Sequence, residues 1–459
     1  MAEPHDDPSP EHKARRWLPH PLILMAGCVF AAAVATWFLP GGEFQRVLDP
    51  DTGRMVAVAG SYQVVESTPV GPFEALVAIP RGIVDAADVI ALIFLIGGAL
   101  TVVDATGALG RGVEALVRSL GGRDVILIPL VCLAFATGGV LENMAEEIVA
   151  MIPVLLLLCA RLGYPPLLAV LMSAGPAAVG SAFSPINPFQ VQIAQRVAEV
   201  DLGSGTAFRL VFLALALLIW IGFVVHWASR HRGAHPPRPG MEGATLGGRD
   251  VAILGTVVAA FGVLAWGILG QGWDFNQMSG LFFGVALIVG LIGRLGFSGT
   301  ADAFVRGCRD MTFAGVLIGL ARAIVLVLQD GQVVDTLVQG LFMPLDGLPT
   351  MVSAVGMMGA QALVHIPVSS VSGQAVLTMP ILAPLSDLLG MSRQVAVLAF
   401  QYGAGLMDMI TPTNGALMAV LAAAGVRYEE WFPVALRLWI TMMVVGALAI
   451  VAALATGLT

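Results

Sequence analysis

Charge is the first thing this sequence lacks. Charged residues make up 12% of its 459 positions, where soluble domains carry about 25%. Lys13 is the only lysine and the arginines are scattered, which excludes a nucleic-acid partner. Cysteine is scarce as well. Cys28, Cys132, Cys159 and Cys308 lie in or beside apolar segments without metal-ligand spacing, as small buried hydrophobes do. There is no phosphate-binding loop, so this chain alone does not drive anything with ATP. His365 stands near Ser369 and Ser370, but no nucleophile-elbow motif or triad accompanies them, and the chain is not read as an enzyme.

What is present is apolar sequence, 57% of all residues. Many runs reach the roughly 18 residues that mark a membrane-spanning helix, so the expected class is an all-α polytopic membrane protein with the lipid bilayer as its surroundings. Spans are expected at about 21–39, 86–104, 165–198 with a break, 207–229, 250–271, 278–296, 311–328, 393–424 with a break, and 434–457. The polar, proline-rich residues 1–20 read as a tail. The run from Pro21 to Leu39 lacks a small-residue cleavage site and is a retained first helix rather than a signal peptide. Residues 40–72 form an external loop, with a short strand pair near Gly60–Glu66.

Two stretches, 124–160 and 350–386, are apolar with polar centres; they read either as pairs of full helices or, since each half is only about 15 to 18 residues against the roughly 18 of a full span, as pairs of half-passes. Half-length helices suit re-entrant hairpins, whose irregular tips are tolerated inside protein or a wet cavity. Basic residues support this. With a cytoplasmic N-terminus and both stretches returning to their starting side, 16 basic residues face the cytoplasm, six face outside, and Arg322 lies within a helix. Arg123 and Arg161, flanking the first hairpin, then share a side, and 230–248 becomes a cytoplasmic linker.

Within this apolar chain the pentad S-P-I-N-P (Ser184–Pro188) has an echo, T-P-T-N-G (Thr411–Gly415), 227 residues later. The same shift superposes Pro153 on Pro380, Leu162-Gly163 on Leu389-Gly390, and Asn187 on Asn414, with 12 identities in the 39 positions from 149 to 187. The charge-derived topology gives the two copies opposite orientations. Inverted repeats whose broken helices meet at the midplane are the signature of secondary transporters.

The breaks also supply chemistry. Proline removes an amide donor and clashes with the preceding turn, so each pentad unwinds its helix. Freed carbonyls and half-helix ends, joined by Ser184, Asn187, Thr411, Thr413 and Asn414, suit Na⁺ or a zwitterion. A Na⁺ site is expected near Asn143, Ser184, Asn187, Thr411 and Asn414; Na⁺ or H⁺ is the expected coupling ion, with no other cofactor. The first hairpin tip carries Glu142, Asn143, Glu146 and Glu147, and the second carries Ser369, Ser370 and Ser372. A mid-membrane carboxylate costs at least about 2.5–3.5 kcal/mol, so such acids are functional candidates. Glu142 and Glu146 share a helix face if the tip is helical. Asp408 is a further intramembrane acid, and Arg322 is a candidate partner for it or for a substrate carboxylate.

The stretches ENMAEEIVAMIPVLL and SPINPFQVQIAQ, with SGQAVLTMPILAPLSDLLGMSRQVAVLAFQYG and MITPTNGALMAVLAAAG in the second half, resemble the C4-dicarboxylate anaerobic carrier family. The likeness is greatest to its branch of basic amino acid antiporters and YfcC-like carriers, within the ion transporter superfamily. It runs from about 20 to 457. The resemblance implies a homodimer with elevator-type alternating access, two re-entrant hairpins and two unwound helices. It places the unwound loops at Ser184–Pro188 and Thr411–Gly415, and the tips at Glu142–Glu147 and Ser369–Gln374. The related sodium–dicarboxylate symporters carry Ser-Asn-Thr at both tips, whereas here the first tip is acidic. An acidic tip repels a dicarboxylate, which favours an amine-bearing small-molecule substrate, with a Na⁺- or H⁺-coupled dicarboxylate carrier as the alternative. The expected division is a cytoplasmic tail (1–20), first helix and external loop (21–72), first repeat (73–229), linker (230–248), scaffold helices (249–297) and second repeat (298–459), in the cytoplasmic membrane.

The charge-derived topology predicts the sidedness of labelling. In a cysteine-free background, a cysteine at Arg118 is expected to react with a membrane-impermeant maleimide only in inverted vesicles, and one at Glu66 only in intact cells. Reaction of both from one face would overturn the assignment.

Overall fold

The computed structural model describes residues 21–48, 55–58, 60–119, 124–141, 143–233, 246–271, 273–345 and 347–458. The tail 1–20, most of the linker 230–248, and Arg123 and Glu142 lie outside the described residues. Helix α1 (Pro21–Phe38) leads into four short strands, β1 (Gly42–Glu43), β2 (Arg46–Leu48), β3 (Met55–Ala57) and β4 (Gln63–Val64). The expected single strand pair is two antiparallel pairs, β1 with β4 and β2 with β3.

Helices then follow in two similar series. The first is α2 (Pro72–Asp85), α3 (Ala87–Ala105), α4 (Ala108–Ser119), α5 (Asp124–Leu141), α6 (Glu146–Leu162), α7 (Leu167–Met172), α8 (Ala174–Ala182), a π-helical turn (Pro188–Gln192), α9 (Ile193–Val197) and α10 (Thr206–His231). Two long helices, α11 (Gly248–Gln271) and α12 (Phe275–Gly293), separate it from the second series. That series is α13 (Gly296–Asp310), α14 (Thr312–Asp330), α15 (Val334–Phe342), α16 (Thr350–His365), α17 (Val371–Leu388), α18 (Arg393–Met407), α19 (Gly415–Ala424) and α20 (Tyr428–Thr456).

Five of the described helices, α3, α10, α12, α14 and α20, are long and apolar enough to cross a membrane. Helices α6 and α17 end where glycine permits them to. Gly163 and Gly390, a pair under the 227-residue shift, both hold left-handed φ, at 75° and 68°. The span expected at 278–296 lies three residues earlier. Asp274 caps α12 by accepting from the Asn276 amide, and Arg294 turns left-handed at its end. Helices α2, α4, α13 and α15 escaped the apolar-run criterion because each is amphipathic. In α2 the residues turned inward are Ala75, Ala78 and Gly82, a helical stripe within an otherwise mixed segment. The first tip is irregular at residues 143–145, between α5, which stops at Leu141, and α6, which begins at Glu146; the expected helical stacking of Glu142 on Glu146 lies outside the described residues.

Packing crosses between the two series. α2 lies on α14 and α13 on α3, while α6 meets α19 and α17 meets α9. Several crossings are so close that only glycine fits. A methyl added at Gly180 of α8 would overlap the Ala136 carbonyl oxygen of α5, and one at Gly403 of α18 would overlap that of Met358 in α16. Lipid offers apolar surface as good as a neighbouring helix, so close backbone approach, more than hydrophobicity, holds such pairs together.

Gly180→Val is therefore expected to force α5 and α8 apart. The purified variant should unfold at a clearly lower temperature than wild type or fail to elute as a single species, whereas Gly222→Val, with open space at its Cβ, should behave as wild type.

Candidate functional site

Both pentads interrupt their helices, and both interruptions are sealed against the end of another helix. In the first, Ser184 Oγ donates to the Val140 carbonyl at 2.8 Å and accepts from the Ile186 and Asn187 amides. Asn187 Nδ2 donates to the Gly139 carbonyl at 2.8 Å, and its Oδ1 accepts from the Phe189 and Gln190 amides. The end of α5 and the start of the π-helical turn are thus capped by the same two side chains. Ser181 joins them by donating to Asn143 Oδ1 at 2.6 Å. In the second, Thr413 donates to the Ile366 carbonyl at the end of α16 and lies 2.7 Å from Thr411 Oγ1. Asn414 Oδ1 caps α19 through the Leu417 amide. Ser184, Asn187, Thr411 and Thr413 are all buried.

Between the tips and the breaks lies a cavity of about 1140 Å³. Of the residues singled out from sequence, Asn143, Glu146, Glu147, Ser369, Ser370, Ser372, Asp408, Asn414 and Arg322 line it. Ser184, Asn187, Thr411 and Thr413 stand behind the wall, and Glu142 lies outside the described residues. Glu147 is mostly covered and accepts from the Ala145 amide at 3.3 Å.

Arg322 pairs with Asp85, at the end of α2, and not with Asp408. The reason is packing: α14, which carries Arg322, lies along α2. Asp408 instead meets His365, with Nε2 to Oδ1 at 2.8 Å, and accepts from Asn414 Nδ2 at 2.5 Å. His365 is fully buried, and its Nδ1 lies 2.8 Å from Gln374 Oε1. Gln374 Nε2 donates in turn to the Gln361 carbonyl and side chain, and Gln361 donates to Thr378. His365, Gln361, Gln374 and Thr378 therefore form one polar thread among apolar helices. Polar residues at isolated positions in apolar runs are the signal that marks such a thread, but their partners come from other helices.

The wall is strongly acidic. It carries Glu43, Asp85, Asp88, Glu146, Glu147, Asp274, Asp335 and Asp408 against two guanidinium groups, Arg46 and Arg322. Arg46 Nη2 itself donates to both carboxylate oxygens of Asp335, at 2.8 and 2.9 Å. A buried guanidinium sits behind the first break. Arg209 bonds Gln401, Gln394 and the Ser204 carbonyl, and Gln401 donates to the Ser184 carbonyl at 2.7 Å.

The chain is similar to known proteins over nearly its whole length. The family described as C4-dicarboxylate anaerobic carrier matches residues 18–455. The chain is 31% identical to the Escherichia coli (strain K12) protein named "Putative basic amino acid antiporter YfcC", covering 96% of this chain and 97% of that one. It is 28% identical to a Haemophilus influenzae protein without an assigned role, covering 87% and 81%. Among solved structures, the Alcanivorax borkumensis YdaH transporter is 17% identical with a TM-score of 0.45, over 96% of this chain and 99% of that one.

Asn187→Leu is expected to leave the Gly139 carbonyl and Gln190 amide without partners. At about 1–3 kcal/mol for each buried unsatisfied group, the loss should lower the thermal unfolding temperature markedly, while Ser369→Ala, on the exposed cavity wall, should not. Equal unfolding temperatures for wild type and Asn187→Leu would show that the break is held by something else.

Proposed function

The chain belongs to the C4-dicarboxylate anaerobic carrier family and is a multi-pass membrane transporter of small molecules, and from that premise we propose that its substrate is a cationic amino acid, carried by secondary active transport. The observation that supports this most is the charge of the cavity wall, with eight carboxylates and two arginines that are each already paired with a carboxylate. Inside a low-dielectric protein, such an excess favours a cation and disfavours a dianion. A molecule with an ammonium or guanidinium group neutralises part of this wall. Arg322, partly exposed beside Asp85, is the group that an α-carboxylate can engage. The name carried by the Escherichia coli relative points the same way.

The crossed packing of the two helical series supports reading them as inverted copies, each with a re-entrant pair, α5–α6 and α16–α17, and a broken helix. In this reading the second arm of each pair lies against the broken helix of the other copy, so that both copies contribute to one cavity. Movement of that unit against the helices around it gives alternating access of the elevator type, in a homodimer seated in the cytoplasmic membrane.

Purified protein in liposomes is expected to exchange labelled arginine, lysine or ornithine for the unlabelled solute, with no flux of succinate. Glu146→Gln should reduce cationic exchange by tenfold or more. Succinate flux without cationic amino acid flux would transfer the chain to the dicarboxylate reading.

A further inference from the structure

We infer that the His365–Asp408 pair is a proton-binding site that gives up its proton in exchange for the cationic group of the substrate. The substrate half of this inference rests on the cationic reading above; the proton half rests on hydrogen-bond direction alone.

The direction can be followed from fixed backbone groups. The Gln361 carbonyl can only accept, so the Gln374 atom 2.8 Å from it is the amide nitrogen. Gln374 Oε1 then faces His365 Nδ1, and because an amide oxygen only accepts, Nδ1 carries a hydrogen. On the other side, the Leu417 amide can only donate, so the atom of Asn414 that receives it is the oxygen, and Asn414 Nδ2 is the donor to Asp408 Oδ1. One contact remains, His365 Nε2 to Asp408 Oδ1 at 2.8 Å. It needs a hydrogen between the two atoms, since a bare imidazole nitrogen and a bare carboxylate oxygen repel at that distance. Imidazolium with carboxylate, or neutral imidazole with carboxylic acid, satisfies it equally. Either way the pair holds one proton and is neutral overall. Once that proton leaves for water in the cavity, a neutral imidazole and a carboxylate remain.

The two members differ in access. His365 is fully buried, whereas Asp408 lines the cavity and has its Oδ2 without a hydrogen bond among the described residues. Deprotonation therefore exposes one net negative charge to the space a cationic substrate occupies, and protonation removes it. A proton and a substrate cation compete for one carboxylate, which is the physical requirement for their exchange. The surroundings contain little else that titrates against His365. Of the elements packed on α16, α17 brings Gln374 and, at its far end, Asp387 paired with Arg393; α15 brings Asp335 paired with Arg46; α20 brings Tyr428, Glu429, Glu430 and Arg437; α18 brings Arg393, Tyr402 and, at its end, Asp408. Of the titratable groups among these, Asp408 alone bonds His365 among the described residues, and across the cavity Arg322 is held by Asp85.

The first series has no such pair. Under the 227-residue shift, Asp408 corresponds to Ser181 and His365 to Gly138, while the contact from the break asparagine is kept, Asn187 Nδ2 to Ser181 Oγ at 3.2 Å. Only the second half can hold a proton at this position.

Calorimetric titration of the purified wild-type protein with arginine, lysine and ornithine, in two buffers of different ionisation enthalpy, tests this directly. Near neutral pH, up to one proton should be released per solute bound. Binding without proton release overturns the inference and leaves the cationic substrate standing; no binding of any of the three overturns the cationic reading and the exchange with it. In liposomes, His365→Gln should lose at least tenfold of the uptake driven by a pH gradient, and should lose more of that uptake than of arginine–arginine exchange. Equal loss of both activities would mark His365 as merely structural, and loss of neither would remove it from coupling.

Discussion

A helix that stops inside an apolar environment leaves carbonyls and amides that lipid cannot satisfy, and this chain stops several times. Its answer is mutual. The carbonyls at the end of α5 are taken by Ser184 and Asn187 from the broken helix beside it, and the carbonyl at the end of α16 is taken by Thr413 from the other break. Each interruption thus closes another. The cavity exists because the helix ends that surround it are satisfied from behind, leaving the faces of Asn143, Asp408 and Asn414 free to line it.

That arrangement divides labour among residues of similar type. The asparagines of the two pentads are equivalent by position and both cap a helix, yet Asn187 is buried and Asn414 reaches the cavity. The acids are divided as well. In the first half they cluster on the tip, as Glu146 and Glu147; in the second half the acid has moved to the break, as Asp408, with a histidine opposite it. Glu147 and Gln374 occupy shift-equivalent positions, but one presents a carboxylate near the cavity and the other an amide whose orientation sets the histidine tautomer. The two halves thereby carry two different electrostatic environments that meet in one space.

Much of the plan was legible from residues alone. Proline within an apolar run is a strong signal, and both helices break where the pentads said they would. The short lengths of α5, α6, α16 and α17, 16 to 18 residues each, were legible as well. The four amphipathic helices were not, since their polar faces hide them from any search for apolar runs; the stripe Ala75, Ala78, Gly82 of α2 is visible only once a helix is assumed. Asp408 and Arg322 were both visible as intramembrane charges, but their pairing was not. Opposite sign within the apolar runs suggests a bond between them, and packing of α14 on α2 gave Arg322 to Asp85 instead.

The sequence by itself determined the class, the two breaks and which polar residues lie within the apolar runs, because hydrophobicity, proline stereochemistry and the cost of buried charge are local properties. The tertiary structure alone decided which polar atoms meet. His365, Gln374, Gln361 and Asn414 come from α16, α17 and the second break, and their bonds fix which nitrogen of the histidine holds a hydrogen. Hydrogen bonds act over about 3 Å, so no spacing along the chain can specify them until the helices are packed.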